Sequence, residues 1–226
     1  LLVRQRPGAV RRELDTSLET PRFHQAAYVG LDDLVTSLPS LLHFARFIDG
    51  EWNWSGKIYS LLLSTVAILW LRVKAKALGL TLTQRNITQS VIALFFLTLM
   101  SFSLALAFNR SYPTMETIAF QALMPGLAEE LVYRGIAPAI LLGLIRGKDA
   151  PQQTPWTVVL ITSIAFCVWH GFSYSDEEFY FDAISAAPPF IGSIAYGWLR
   201  FNSGSLLFPI LAHGLGNTAF HLTALI

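Results

Sequence analysis

The sequence predicts an all-α fold, a polytopic transmembrane helical bundle of about six spans with a polar N-terminal segment. Three observations predict it. Of 226 residues, 14% are charged and 53% hydrophobic, with a mean hydropathy of +0.48, whereas a soluble domain carries about 25% charged residues. The charges are uneven: residues 1–57 hold 14 of the 31. Long uncharged runs follow, each bounded by polar loops. The composition excludes a disordered chain, a disulfide-rich secreted domain and a coiled coil. A net charge of +1 gives no reason to expect nucleic acid as a partner, and the single Cys167 removes internal disulfides and Cys-based zinc frameworks. The chain starts at Leu1 rather than Met, as a fragment would, and its start shows no secretory signal pattern.

The first unit, residues 1–57, is mixed in sign, with Arg4, Arg6, Arg11, Arg12, Asp32 and Asp33. Within it, 26–48 has helical periodicity that puts Leu31, Leu34, Val35, Leu38, Leu41, Leu42 and Ala45 on one face. Only 12 residues separate Asp33 from Arg46, too few for a bilayer core of about 30 Å. The stretch therefore reads as an amphipathic helix at the interface or packed on a partner, or equally as a helix of a soluble cap, bent at Pro39.

The second unit, 58–226, is the membrane bundle. Residues 58–71 are uncharged between Lys57 and Arg72, which are placed to snorkel. Residues 86–109 form the clearest span. Residues 117–145 are apolar around three central charges. Residues 150–175 are uncharged, with Pro151 and Pro155 setting a helix start near Trp156. Residues 183–199 follow, their beginning broken or tilted by Pro188 and Pro189, and 201–226 run uncharged to the end. The loops set an orientation. Arg72, Lys74, Lys76, Arg85, Arg146, Lys148 and Arg200 fall on one side. Arg110 with Glu116, and the acidic run Asp176, Glu177, Glu178 and Asp182, fall on the other. The positive-inside rule places the first set in the cytoplasm, and an even span count leaves both chain ends opposite.

Glu129, Glu130 and Arg134 lie deep in the third span. Each costs roughly 2.5–3.5 kcal/mol near a helix centre, so they are functional candidates by default. Glu130 and Arg134 are i,i+4 in the favourable order and pair on one face. Glu129 points about 100° away with no local cation, which leaves it available for chemistry. A structural ion network that holds helices together is the competing reading. His170, with Phe166 one turn before it, ends the fourth span, and His213 with Asn217 at i,i+4 lies in the last. One such histidine is ordinarily a packed core residue, and Asn217 alone could be interhelical glue. Two His, an Asn and two Glu on three helices are too many costly groups for packing alone. His24, His43 and His221 are weak candidates.

These residues form three motifs: EExxxR at 129–134, FxxxH at 166–170 and HxxxN at 213–217. In order, on apolar spans, they make the chain resemble the CPBP intramembrane endopeptidases, which include the CAAX prenyl proteases and the bacteriocin-processing or immunity-type Abi proteins. The resemblance covers about 117–222, and no motif residue departs from it. It implies an integral, multi-pass peptidase that hydrolyses a peptide bond of a membrane-associated or lipidated protein or peptide. The variety of non-eukaryotic members favours a bacterial inner membrane. It implies Glu129 as general base, His170 holding the water, His213 and Asn217 as oxyanion donors, Glu130 and Arg134 holding the site together, and Phe166 packed beside His170.

The chemistry is consistent with those residue types. Water that attacks must lose a proton to a base, and negative charge on the carbonyl oxygen needs N–H donors. No Ser-His-Asp set is present, and Cys167 reads as a small core residue. The expected mechanism uses no cofactor. Its close competitor is zinc held by Glu129, His170 and His213 with water in the fourth place, although no HExxH occurs. A non-enzymatic transporter, scaffold or immunity protein is the alternative of a different class. Its buried charges would form an ion path, but the spans show no repeated halves.

Overall fold

The computed structural model describes residues 7–108, 112–144, 153–175 and 178–222. Arg4 and Arg6 of the first unit, and Arg110, Arg146, Lys148, Asp176 and Glu177 of the orienting loops, lie outside the described residues. The chain runs through α1 (Pro7–Leu41), α2 (Trp54–Leu71), α3 (Ala75–Leu78), α4 (Ile87–Phe108), α5 (Met115–Glu130), a π-helical turn (Leu131–Ile136), α6 (Ala137–Leu141), α7 (Trp156–Gly171), a hairpin of β1 (Phe172–Ser175) and β2 (Glu178–Phe181), α8 (Ala183–Ser203) and α9 (Leu207–Leu222). Two helices among the described residues are long and apolar enough to cross a membrane, α2 and α4. Only 11% of the α4 window is buried in the protein. A soluble core helix would be covered, so this face is available to lipid.

Local chemistry sets the helix starts. Asn53 caps α2 by accepting from Gly56 N–H at 2.9 Å, Thr114 caps α5, and Asp182 caps α8 through the N–H groups of Ile184 and Ser185. Gly204, at φ 77°, ends α8. Gly79, at φ 81°, ends α3, and its missing Cβ makes room for the Arg200 guanidinium. Arg200 Nη2 donates to the Ala77 carbonyl at 2.7 Å, and Arg85 Nη2 donates to that of Phe201 at 2.9 Å. These bonds bring Arg85 and Arg200 to one end of the bundle, as the loop charges require.

The main contacts pair α4 with α9, α7 with α8, α5 with α9 and α1 with α2. Close approach between α5 and α9 depends on glycine. A Cβ on Gly214 would stand 2.3 Å from the Ala122 carbonyl oxygen, and one on Gly126 would stand 2.8 Å from that of Ile210.

The structure differs from the sequence reading in four places. The helix of the N-terminal part ends at Leu41, and its buried stripe is Gln25, Val29, Asp32, Thr36 and Pro39, largely polar. Leu31, Leu34, Leu41 and Leu42 of the expected apolar face are exposed. The reason is the partner: Thr36 accepts from Asn53 Nδ2 at 2.7 Å, Ser60 donates to Asp32 at 2.9 Å, and the Tyr28 and Ser64 hydroxyls pair at 2.9 Å. These contacts run α1 antiparallel along α2. Its direction carries the N-terminal turns of α1 toward the end of α2 that holds Arg72. The uncharged run 150–175 is not one helix: α7 stops at Gly171, where the β-forming Phe172-Ser173-Tyr174 turns into the hairpin, pairing Phe172 with Phe181. Pro188 and Pro189 lie inside α8 without ending it. The π turn replaces regular helix over 131–136.

Candidate active site

Three helices and the π turn bring the motif residues together. Glu129 and Glu130 end α5, Arg134 sits in the π turn, His170 ends α7 and His213 lies in α9. A single π turn inside an α-helix shifts the register of the side chains that follow it, and such turns recur at functional sites. Here the i,i+4 pair survives the shift: Arg134 Nη1 donates to Glu130 Oε1 at 3.0 Å, and both side chains are fully buried. The guanidinium carbon lies 4.6 Å from the Phe166 ring centroid and 5.4 Å from that of Tyr196. The cation is therefore neutralised by a carboxylate and sandwiched by aromatic faces.

Glu130 does more than pair with Arg134. Its Oε1 also accepts from His213 Nδ1 at 2.7 Å, which fixes the imidazole and turns Nε2 toward Glu129. His213 stacks on Tyr196 with centroids 5.3 Å apart. His170 is fixed differently: its Nδ1 donates to the Phe166 carbonyl at 2.9 Å, and its ring lies 4.1 Å from that of Phe166. Phe166 thus supports His170, Arg134 and, edge-on at 5.0 Å, Tyr133.

Glu129 has a local cation, contrary to the expectation from its own helix. Lys57 Nζ donates to Glu129 Oε1 at 2.6 Å. The lysine expected to snorkel at the edge of the first span instead points inward. The other oxygen, Glu129 Oε2, has no hydrogen-bond partner among the described residues. It lies 3.9 Å from His170 Nε2 and 3.8 Å from His213 Nε2. Two ring nitrogens and one carboxylate oxygen thus converge on one point.

That point opens on a cavity of about 910 Å³, lined by Lys57, Glu129, His170, His213 and Asn217 together with mostly apolar and aromatic side chains such as Trp52, Phe120 and Trp169. Asn217 is in the cavity but not on the carboxylate: its Nδ2 donates to Gln121 Oε1 at 2.9 Å. Since a primary amide has two N–H bonds, one remains. At the mouth, Trp52 stacks on Phe120 and meets His221 edge-on. There the Glu51 N–H, the Trp54 indole and the Trp52 N–H hold the Glu116 carboxyl below the ordinary range. His221 lines the cavity at this end, away from Glu129. Cys167 is half-buried and is not among the lining residues.

Lys57, Gln121 and Tyr196 were missed by the sequence reading. Lys57 carried one usable signal, a cation at the border of an uncharged run in a chain with an intramembrane carboxylate that lacked a partner. Gln121 lies two turns before Glu129 in the same span, a polar side chain in an apolar run, but nothing marked its partner. Tyr196 had no signal at all.

Residues 111–219 match the family model described as Type II CAAX prenyl endopeptidase Rce1-like. No curated protein and no solved structure matches the chain. The matched segment contains every motif residue from Glu129 to Asn217. It leaves out α1, α2 and Lys57.

Proposed function

The chain belongs to the CPBP family of CAAX proteases, a family of hydrolases, and from that premise we propose that it is a multi-pass intramembrane endopeptidase in which Glu129 activates the attacking water. The substrate is a membrane-associated or lipidated protein or peptide that reaches the cavity from the bilayer, here a bacterial inner membrane. Six apolar helices, α2, α4, α5 with its continuation through α6, α7, α8 and α9, form the membrane part, and α1 packs along it. Membership in a protease family removes the reason to read the buried charges as an ion path.

One observation carries the reading: the convergence of Glu129 Oε2 on His170 Nε2 and His213 Nε2. Because His170 spends its N–H on the Phe166 carbonyl, its Nε2 is an acceptor. A water about 2.8 Å from both Glu129 Oε2 and His170 Nε2 gives each one hydrogen, which leaves a lone pair for the scissile carbonyl. As the C–O bond forms, Glu129 takes the proton. His213, anchored through Nδ1 by Glu130, and the remaining N–H of Asn217 stabilise the oxyanion. Collapse breaks the C–N bond, and Glu129 returns the proton to the leaving amine. No cofactor takes part.

A second reading has one observation in its favour. The Glu130–His213 bond is the carboxylate–histidine support that zinc ligands use, so Glu129, His170 and His213 are also a conceivable zinc set.

The test is comparative proteomics of cells that produce the wild-type protein or Glu129→Gln, followed by assay of the trimmed peptide, in fluorescence-quenched form, with purified protein in detergent. The expected result is cleavage by the wild type and none by the variant. Equal peptide profiles, or a Gln variant of near-normal activity, would overturn the proposal.

A further inference from the structure

We propose that Lys57, outside the segment that matches the family, is a positioning residue of this site: it holds Glu129 by Oε1 and so aims Oε2 at the two imidazoles. The inference deepens the proposed function and rests on it. The contact is short and sheltered, with Nζ 2.6 Å from Oε1 and relative side-chain exposures of 12% and 13%. A lysine near the end of an apolar helix ordinarily runs its stem along the protein and puts its ammonium in the interface. Turning inward desolvates the charge, which is costly unless a partner is met. Here the partner is Glu129, the carboxylate of the site that accepts no hydrogen bond from Arg134 or His213.

The backbone that carries Lys57 is fixed on both sides. Asn53, four residues before it, bridges the Gly56 N–H and the Thr36 carbonyl of α1. Ser60, three residues after it, donates to Asp32 of α1 at 2.9 Å. The polar stripe of α1 thus anchors the first turns of α2, and α2 presents the ammonium. The terminal torsion of a glutamate is a broad two-fold rotor. Bonding Oε1 to a fixed ammonium removes that freedom and leaves Oε2 one position, 3.9 Å from His170 and 3.8 Å from His213. Lys57 touches the base and not the reacting atoms.

The experiment measures kcat and KM with the quenched peptide identified above. Lys57→Met is expected to lower kcat by about 10²-fold, the scale of a displaced reacting group, with KM within about twofold. A purely structural lysine would lower yield and Tm without that split. Lys57→Cys in a Cys167→Ala background, which contains no other thiol, covers the case in which the Met variant folds poorly. Alkylation with 2-bromoethylamine rebuilds a lysine-length chain ending in ammonium, and propyl methanethiosulfonate builds a neutral one. The cavity gives both reagents access. The ammonium adduct should exceed the propyl adduct at least tenfold in kcat, in units of the Cys167→Ala protein. Wild-type kcat in Lys57→Met, or equal activity of the two adducts, overturns the role of Lys57. Glu129→Gln measured alongside separates the two ideas. If it remains active, the hydrolytic proposal itself fails; if it is dead while Lys57→Met is unimpaired, only the role of Lys57 fails.

Discussion

Glu130 accepts a hydrogen bond from His213 Nδ1 at 2.7 Å, and that bond joins α5 to α9 inside the cavity wall. The same oxygen accepts from Arg134 at 3.0 Å. One buried carboxylate therefore serves two cationic or cation-forming groups, while its neighbour in sequence, Glu129, faces the opening. The adjacent glutamates divide along the helical rotation of about 100° per residue.

Replacing Glu130 by Gln should cost both stability and activity. The amide cannot carry charge opposite Arg134, and breaking a buried pair costs about 3–5 kcal/mol. His213 would also lose its anionic anchor. Glu129→Gln should remain folded, because Lys57 lines the cavity, where water can hydrate its ammonium, whereas Arg134 is fully enclosed. Thermal unfolding of both variants in detergent checks this, and equal Tm values would count against the division between the two carboxylates.

His213→Ala should leave a slow enzyme that still binds its substrate. Loss of one oxyanion donor lowers kcat by about 10²–10³-fold, and a group that acts mainly in the transition state leaves KM much less changed. Steady-state kinetics on the purified variant decide. An unchanged kcat with a greatly raised KM would make His213 a substrate-binding residue.

Much of this site was legible in the chain because the membrane makes intrahelical charges conspicuous: Glu129, Glu130, Arg134, His170, His213 and Asn217 stand out against apolar runs. The geometry between helices was not legible. Spacing along one helix paired Glu130 with Arg134 correctly, but could not show that Glu130 also reaches His213, 83 residues away, or that Lys57 reaches Glu129 across 72. The periodicity of α1 showed a leucine face but not what meets it, since an interface, a partner and a cap core all fit the same pattern. Packed on the polar residues of α2, the helix buries Gln25, Asp32 and Thr36 and exposes Leu31 and Leu34. The hairpin was missed because uncharged aromatic residues read as span until Gly171 frees the chain to turn.

Two glycine substitutions should behave oppositely. A Cβ on Gly214 meets the Ala122 carbonyl oxygen at 2.3 Å, and a backbone atom cannot step aside. Gly214→Ala should push α9 from α5, carry His213 away from Glu130 and abolish cleavage without touching a reacting group. Gly30, within α1, has nothing within 4 Å of such a Cβ. Gly30→Ala should leave activity unchanged and raise stability by about 0.5–1 kcal/mol through helix propensity. Activity and Tm measured on the pair check both, and an active Gly214→Ala would show that the α5–α9 contact tolerates separation.

The last prediction separates water activation by Glu129 from zinc catalysis. Zinc binds its nitrogen and oxygen ligands at about 2.0–2.2 Å in tetrahedral sites, which sets ligand-to-ligand edges of roughly 3.4 Å. Glu129 Oε2 stands 3.9 Å from His170 Nε2 and 3.8 Å from His213 Nε2, wider than that edge and suited to a bridging water. Lys57 adds a second argument. An ammonium 2.6 Å from Glu129 Oε1 already balances the carboxylate, and a dication on the other oxygen would be repelled by it at close range. The support of His213 by Glu130 works in the other direction, since zinc-bound imidazoles use such a carboxylate, but the same bond equally prepares an oxyanion donor. Purified enzyme held in a strong chelator should therefore keep its activity, with no stoichiometric metal by elemental analysis. Inhibition by added zinc is compatible with this, because the ion would seize the Glu and His cluster and displace the water. Loss of activity in chelator, restored by one equivalent of zinc with about one zinc bound per chain, would make Glu129, His170 and His213 ligands and remove Glu129 from the role of base.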